Sequence, residues 1–209
     1  RCLVVLGLEL IFTMGAQGLA GGPGAVGWRS AAIQDYGFSN RAFAWMIENG
    51  VIRADYVVRL LSYPFIHAGF THALFAGVML LALGKFVGEV LAQWAVLVLF
   101  LVSAAFGAVV FGLAFPDGPG LIGAFPGVYG LIGGFTFLLW LRLGQVGERQ
   151  IQAFSLIAVL LGIQLIFGLF FGGGPDWVAD IAGFVCGFTL TSVLVPGGWG
   201  RLRERLRGR

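Results

Sequence analysis

Hydrophobic residues run along this chain in long unbroken blocks, and charge is confined to the gaps between them. Asp, Glu, Lys and Arg are absent from residues 60–84, 90–116, 118–141, 150–175 and 181–200, and residues 2–28 carry only Glu9. A helix that crosses a bilayer needs about 20 mostly apolar residues, and each of these six blocks has room for one. The pattern predicts spans over 2–20, 63–83, 91–114, 121–141, 152–172 and 177–195. Between the third and fourth stands only Phe115-Pro116-Asp117-Gly118-Pro119-Gly120, a tight turn by its Gly and Pro content. The first block has the outline of a signal peptide, with Arg1 ahead of an apolar run that ends in small residues. It is read as a helix, because a cleaved leader would not remain in the chain. Arg1 is not an initiator Met, so the native start is expected to be missing or processed.

Composition supports the pattern. Hydrophobic residues make up 58% of the chain and charged residues 11%, against roughly 45–50% and 25% in soluble domains. That balance excludes an ordinary soluble enzyme, a disordered chain and a nucleic-acid-binding domain. The expected fold is an all-α polytopic membrane protein of six transmembrane helices. It comprises one membrane domain over 1–200, which includes a long loop over 21–62, and a basic tail over 201–209.

The distribution of charge sets the expected topology. Arg201, Arg203, Arg205, Arg207 and Arg209 form the tail, broken only by Glu204. The positive-inside rule places that tail in the cytoplasm, and six spans return the N-terminus there. Lys85, Arg142 and Arg149 then fall in cytoplasmic turns, while loop 21–62 lies outside with Arg29, Arg41, Arg53 and Arg59 nearly balanced by acids. The tail reads as a topology determinant that attracts anionic lipid at about 1 kcal/mol per Arg, or as a partner-docking arm. One Lys against twelve Arg fits a GC-rich bacterial genome, hence a bacterial inner membrane.

Small residues suggest which helices are central. Gly123, Gly127, Gly130, Gly133 and Gly134 recur in the fourth span, and Gly183 and Gly187 in the sixth. Glycine on one helix face lets backbones approach closely in lipid. The fourth and sixth spans are expected at the centre, and the third and fifth against lipid. Cys2 and Cys186 form no CxxC or metal-spaced cluster and read as inert thiols.

Few polar groups lie at membrane depth, where each is costly enough to need a reason. They are His67 and His72 near the start of the second span, Tyr129 in the fourth, Asp180 at the start of the sixth and Glu9 in the first. On a regular helix, histidines five apart point in different directions and make a poor metal pair. No carboxylate or thiolate stands near them in sequence, so no metal or cofactor is assigned. Glu9 is expected near the cytoplasmic face or paired with another helix. No HExxH, phosphate-binding loop or GxSxG occurs.

Three stretches carry a family resemblance. Arg59-Leu60-Leu61-Ser62-Tyr63-Pro64-Phe65-Ile66-His67-Ala68-Gly69-Phe70-Thr71-His72 resembles the first-loop Arg and second-helix histidines of rhomboid intramembrane serine proteases. Ile122 to Phe135 resembles the fourth helix of that family, and Ala179-Asp180-Ile181-Ala182-Gly183-Phe184-Val185-Cys186-Gly187 its sixth. Together with the six-span pattern, the resemblance covers about residues 1–196. It implies a six-helix rhomboid bundle, with Arg59 anchoring the outer loop at the interface.

The same comparison implies a degenerate site. The Ser of the family's Gly-x-Ser-Gly falls on Phe125, and the Gly after it on Pro126. The helix-six His position is Asp180, and the oxyanion Asn position is Ala76, although His72 matches the oxyanion His. A carboxylate base has nothing to activate when the nucleophile is missing. The resemblance therefore points to a pseudoprotease with no catalytic residues. In that reading His67 and His72 are scaffold groups. Asp180 either bonds directly to Tyr129 or points to the aqueous mouth.

The expected function is non-catalytic. The chain would bind other integral membrane proteins as a subunit, assembly factor or adaptor in the lipid bilayer, and would bind no nucleic acid. Contacts with partners or lipid are expected from Arg59, Phe43, Trp45, Arg201, Arg203 and Arg205. The aromatic residues of the loop suit an amphipathic segment on the outer leaflet, and its Phe43–Ile47 cluster equally suits a partner. The alternatives are a small transporter or cofactor-holding subunit that uses His67 or His72, and an intramembrane protease with a non-standard site.

Overall fold

The computed structural model describes residues 2–19 and 21–196. Among these, α1 spans Cys2–Ala16, α2 Trp28–Tyr36, α3 Asn40–Asn49, α4 Ala54–Ser62, α5 Phe70–Gly88, α6 Gln93–Ala114, α7 Phe125–Gln145, α8 Ser155–Phe171 and α9 Trp177–Leu194. Five helical segments are long and apolar enough to cross a membrane, namely α5, α6, α7, α9 and the stretch Gln150–Phe170 that holds most of α8, and the apolar part of α1 is shorter. The result is an all-α polytopic bundle. Arg201, Arg203 and Arg205, with the proposed tail, lie outside the described residues.

The centre is α7 packed on α9 and α6. A Cβ on Gly187 would lie 2.0 Å from the Gly130 carbonyl oxygen, and one on Gly183 2.1 Å from that of Pro126. At those distances nothing larger than hydrogen fits, so the two backbones touch directly. Dispersion between close backbones is what drives helix association where lipid tails are as apolar as leucine. The expectation for the fourth and sixth spans therefore holds.

The expectation for the third span does not. α6 buries Ala95, Leu99, Ser103, Ala104, Ala108 and Phe111 against its neighbours, and a Cβ on Gly107 would lie 2.7 Å from the Ala179 carbonyl oxygen. Its all-round apolar composition hid a buried face built on small residues. The fifth span behaves as expected: on α8, Val159, Leu165, Ile166, Leu169 and Phe170 are exposed.

The second span begins later than expected, at Phe70 rather than residue 63. Tyr63, Pro64 and Phe65 form a separate 3₁₀ turn, followed by an irregular stretch that ends at Gly69. These residues are apolar because they are buried in protein. Tyr63 is fully covered and donates its hydroxyl to the Ala104 carbonyl at 2.7 Å.

Segment 21–62 is a folded cap. Ser39 caps α3 by accepting the Ala42 N–H, and Gly50 ends that helix in the left-handed region. Phe38 and Leu121 exchange both backbone hydrogen bonds, which ties the cap to the α6–α7 connection. Asn40 donates to the Phe115 carbonyl at 2.7 Å. The connection thus runs to Ala124, and α7 starts at Phe125 rather than at 121.

Candidate functional site

The site lies at the cap end of the bundle, where α5, α7 and α9 begin. Two local features shape it. Gly123 takes φ +98°, and a Cβ there would lie 2.7 Å from His72 Cε1. Only glycine meets both demands at low cost. Pro126 sits in the first turn of α7, where its missing N–H is harmless.

His72, in the first turn of α5, lies under this turn. Its Nδ1 accepts the Ala68 N–H at 3.4 Å. The Phe125 ring stacks on the imidazole with centroids 5.2 Å apart and planes within 10°. His67 meets His72 edge-on, at 5.1 Å between centroids. The two histidines thus come together, contrary to the expectation from their five-residue spacing. His67 belongs to the irregular stretch before α5, so helical geometry does not govern the pair.

His67 is 1% exposed, and neither ring nitrogen meets a protein partner. Burial, with the neighbouring His72, pushes it down to about 4, so it is neutral at pH 7. Among the described residues, no three His, Cys, Asp or Glu side chains gather closely enough to hold a metal. Ala76, one turn below His72, is buried and offers no polar group.

Asp180 and Tyr129 form the second part of the site, and they do not bond directly. Gln164 of α8 stands between them. Tyr129 donates its hydroxyl to Gln164 Oε1 at 2.9 Å, and Gln164 Nε2 donates to Asp180 Oδ2 at 2.8 Å. Nor does Asp180 open to an aqueous mouth, being only 3% exposed. A buried carboxylate needs a donor, and the glutamine supplies it while linking α7, α8 and α9. Gln164 was readable as a lone amide in an apolar helix, but its partners were not.

Glu9 proves to be buried, 2% exposed, and pairs with Arg29 of α2. Thr13 also donates to Glu9, at 3.2 Å. This pair joins α1 to the cap, which settles the two options left for Glu9. Arg29 also approaches the histidine loop: a Cβ on Gly69 would lie 3.4 Å from its Nη1.

The remaining residues divide between interior and surface. Arg59 is turned inward onto the cap, donating to the Gln34 carbonyl at 2.8 Å and the Gly37 carbonyl at 3.4 Å. Its guanidinium lies over the Tyr56 ring. Phe43 packs on Phe38 at 5.5 Å and against Gly112 and is half-buried. Trp45 and Ile47, on the same helix, are exposed.

Ser103 is the serine most deeply placed among the described residues, fully buried on α6 with no hydrogen-bond partner for its hydroxyl. No base reaches it. Chemically, the site offers a stacked imidazole, a neutral buried imidazole and a carboxylate held by an amide.

Residues 54–197, more than half of the chain, match the family model described as Rhomboid domain. No curated protein matches the chain.

Proposed function

The chain belongs to the rhomboid family of intramembrane proteins, and we propose that it acts there without catalysis, holding the transmembrane helices of other membrane proteins. One observation carries this reading. At the position that the resemblance gives to the serine nucleophile, the Phe125 ring lies flat on His72. A phenyl ring has no lone pair to deliver to a carbonyl, and acyl transfer requires one. Two further features agree. Ala76 brings no amide to an oxyanion, and the Asp180 carboxylate is engaged by Gln164.

The bundle also supplies the surface such a role needs. α8 carries exposed Leu165 and Ile166, and α5 carries exposed Phe75 and Val78. Helices that pack loosely at the edge of a bundle leave room for a guest helix. The chain would serve as a subunit, assembly factor or adaptor. Lys85 and Arg142 mark the ends of α5 and α7 away from the cap. With the basic tail, they support a cytoplasmic orientation of that side, both termini included, in what would be a bacterial inner membrane.

The test pairs photo-crosslinking with a serine-reactive probe. A photoreactive residue at Phe75 or Leu165 should capture transmembrane proteins in native membranes. A fluorophosphonate should label neither the native chain nor Phe125→Ser, which gains a hydroxyl but no base. Labelling of the native chain, or adducts with the chain alone, would overturn the proposal.

A further inference from the structure

We propose that the groove between α5 and α6 binds one acyl chain of an anionic phospholipid, with the lipid phosphate held by Lys85. This stands apart from the function proposed above. The groove is a cavity of about 430 Å³, walled by Phe65, Leu81, Leu97 and Phe100 and reaching Gly84 and Lys85 at the end of α5. Leu81 and Leu97 are exposed on the outside of the bundle, so the groove opens to the membrane's hydrocarbon.

Gly84 bears on the purpose of the groove. It lies inside α5, where glycine is less favourable than alanine. A Cβ built on it would meet nothing within 4 Å. Close packing within the protein therefore gives no reason for a glycine there. A side chain at 84 would instead stand in the groove, and its absence keeps the groove open.

Lys85 bears on the headgroup. It is the chain's one lysine, it is exposed, and it lies in the last turn of a 19-residue span, level with the membrane surface. Among the described residues its ammonium enters no ion pair. Glu89, one turn on, is exposed and bonds Lys85 only through its backbone N–H to the Lys85 carbonyl, with no ion pair between the two side chains. A flexible stem that follows the groove wall and ends in a point charge suits a phosphate. A zwitterionic headgroup brings its own cation and gains less from it.

The occupant is one acyl chain and not a helix. α5 and α6 are joined by residues 89–92 alone, which holds them together at the Lys85 end, and the cavity between them is only about 430 Å³. A helix about 10–12 Å across does not enter a slot between such neighbours.

Native mass spectrometry of the full chain, in micelles containing phosphatidylglycerol or phosphatidylcholine, tests the proposal. One phosphatidylglycerol per chain is expected to be retained in preference to phosphatidylcholine. Lys85→Gln should lower that retention about fivefold, the worth of one basic residue at a lipid surface. Arg142→Gln, which removes a charge from the same end of the bundle, should leave it unchanged. Gly84→Leu should release both lipids without lowering the melting temperature in lipid-free micelles. Equal retention of the two lipids would overturn the proposal. So would equal losses in the Lys85 and Arg142 variants, or undiminished binding in Gly84→Leu.

Discussion

Replacing Gln164 with Leu tests how α8 is attached to the bundle. The native amide makes two interhelical hydrogen bonds, at 2.9 Å from Tyr129 and 2.8 Å to Asp180. Leucine fills similar volume and suits lipid, so its own burial costs nothing. The loss is polar. Interhelical hydrogen bonds in membranes average about 0.6 kcal/mol each. A buried acceptor left without a donor adds about 1–3 kcal/mol, and Asp180 is 3% exposed. The expected destabilisation is thus about 2–4 kcal/mol, measured by reversible denaturation in mixed micelles. It should be concentrated in α8, whose Leu169 and Phe170 are 82% and 74% exposed and contribute little packing. Hydrogen exchange should rise there before it rises in α7 or α9. In a Tyr129→Phe, Asp180→Leu background the same change should cost near zero, since neither partner remains to be stranded. A loss below about 0.5 kcal/mol in the native background, or an equal loss in both, would refute the relay as the attachment of α8.

Other perturbations probe the rest of the framework. Gly187→Ala places a methyl 2.0 Å from the Gly130 carbonyl oxygen, and Gly183→Ala one 2.1 Å from that of Pro126. Neither carbonyl can yield without separating α7 from α9, so each change should cost about 3 kcal/mol or more and lower the folded yield in detergent. Arg29→Met strands the Glu9 carboxylate and should cost about 3–5 kcal/mol, much of it recovered when Glu9→Leu is added; comparison of the two melting curves checks this. His67, held down at about 4 by burial, binds a proton more readily in the unfolded chain. Stability should therefore fall as pH drops from 6.5 towards 4, on the order of 2 kcal/mol, and His67→Leu should flatten that slope.

The membrane fold was legible because its cause is local. Hydrocarbon requires a long run of uncharged residues with backbone bonds satisfied inside the helix, and each requirement can be read from the chain in order. The third and sixth spans were expected at 91–114 and 177–195 and run over 93–114 and 177–194. Glycine spacing likewise announced the α7–α9 contact. Legibility failed where apolar character had two possible causes. Residues 63–69 read from the sequence as the start of a span, yet Tyr63 and Ile66 are apolar because they are buried in protein. α6 reads from the sequence as lipid-facing, because a helix apolar all round does not reveal which side carries the partner.

Phe125, Asp180 and Ala76 were visible in the sequence as residue identities, since each names a chemical group that is present or missing. Arrangement belonged to the tertiary structure. It brought His67 beside His72 by starting the helix at Phe70, set Gln164 between Tyr129 and Asp180, and joined Glu9 to Arg29 across 20 residues. A buried polar group must find a partner. Which partner it finds depends on which elements meet in space, and no spacing along the chain encodes that.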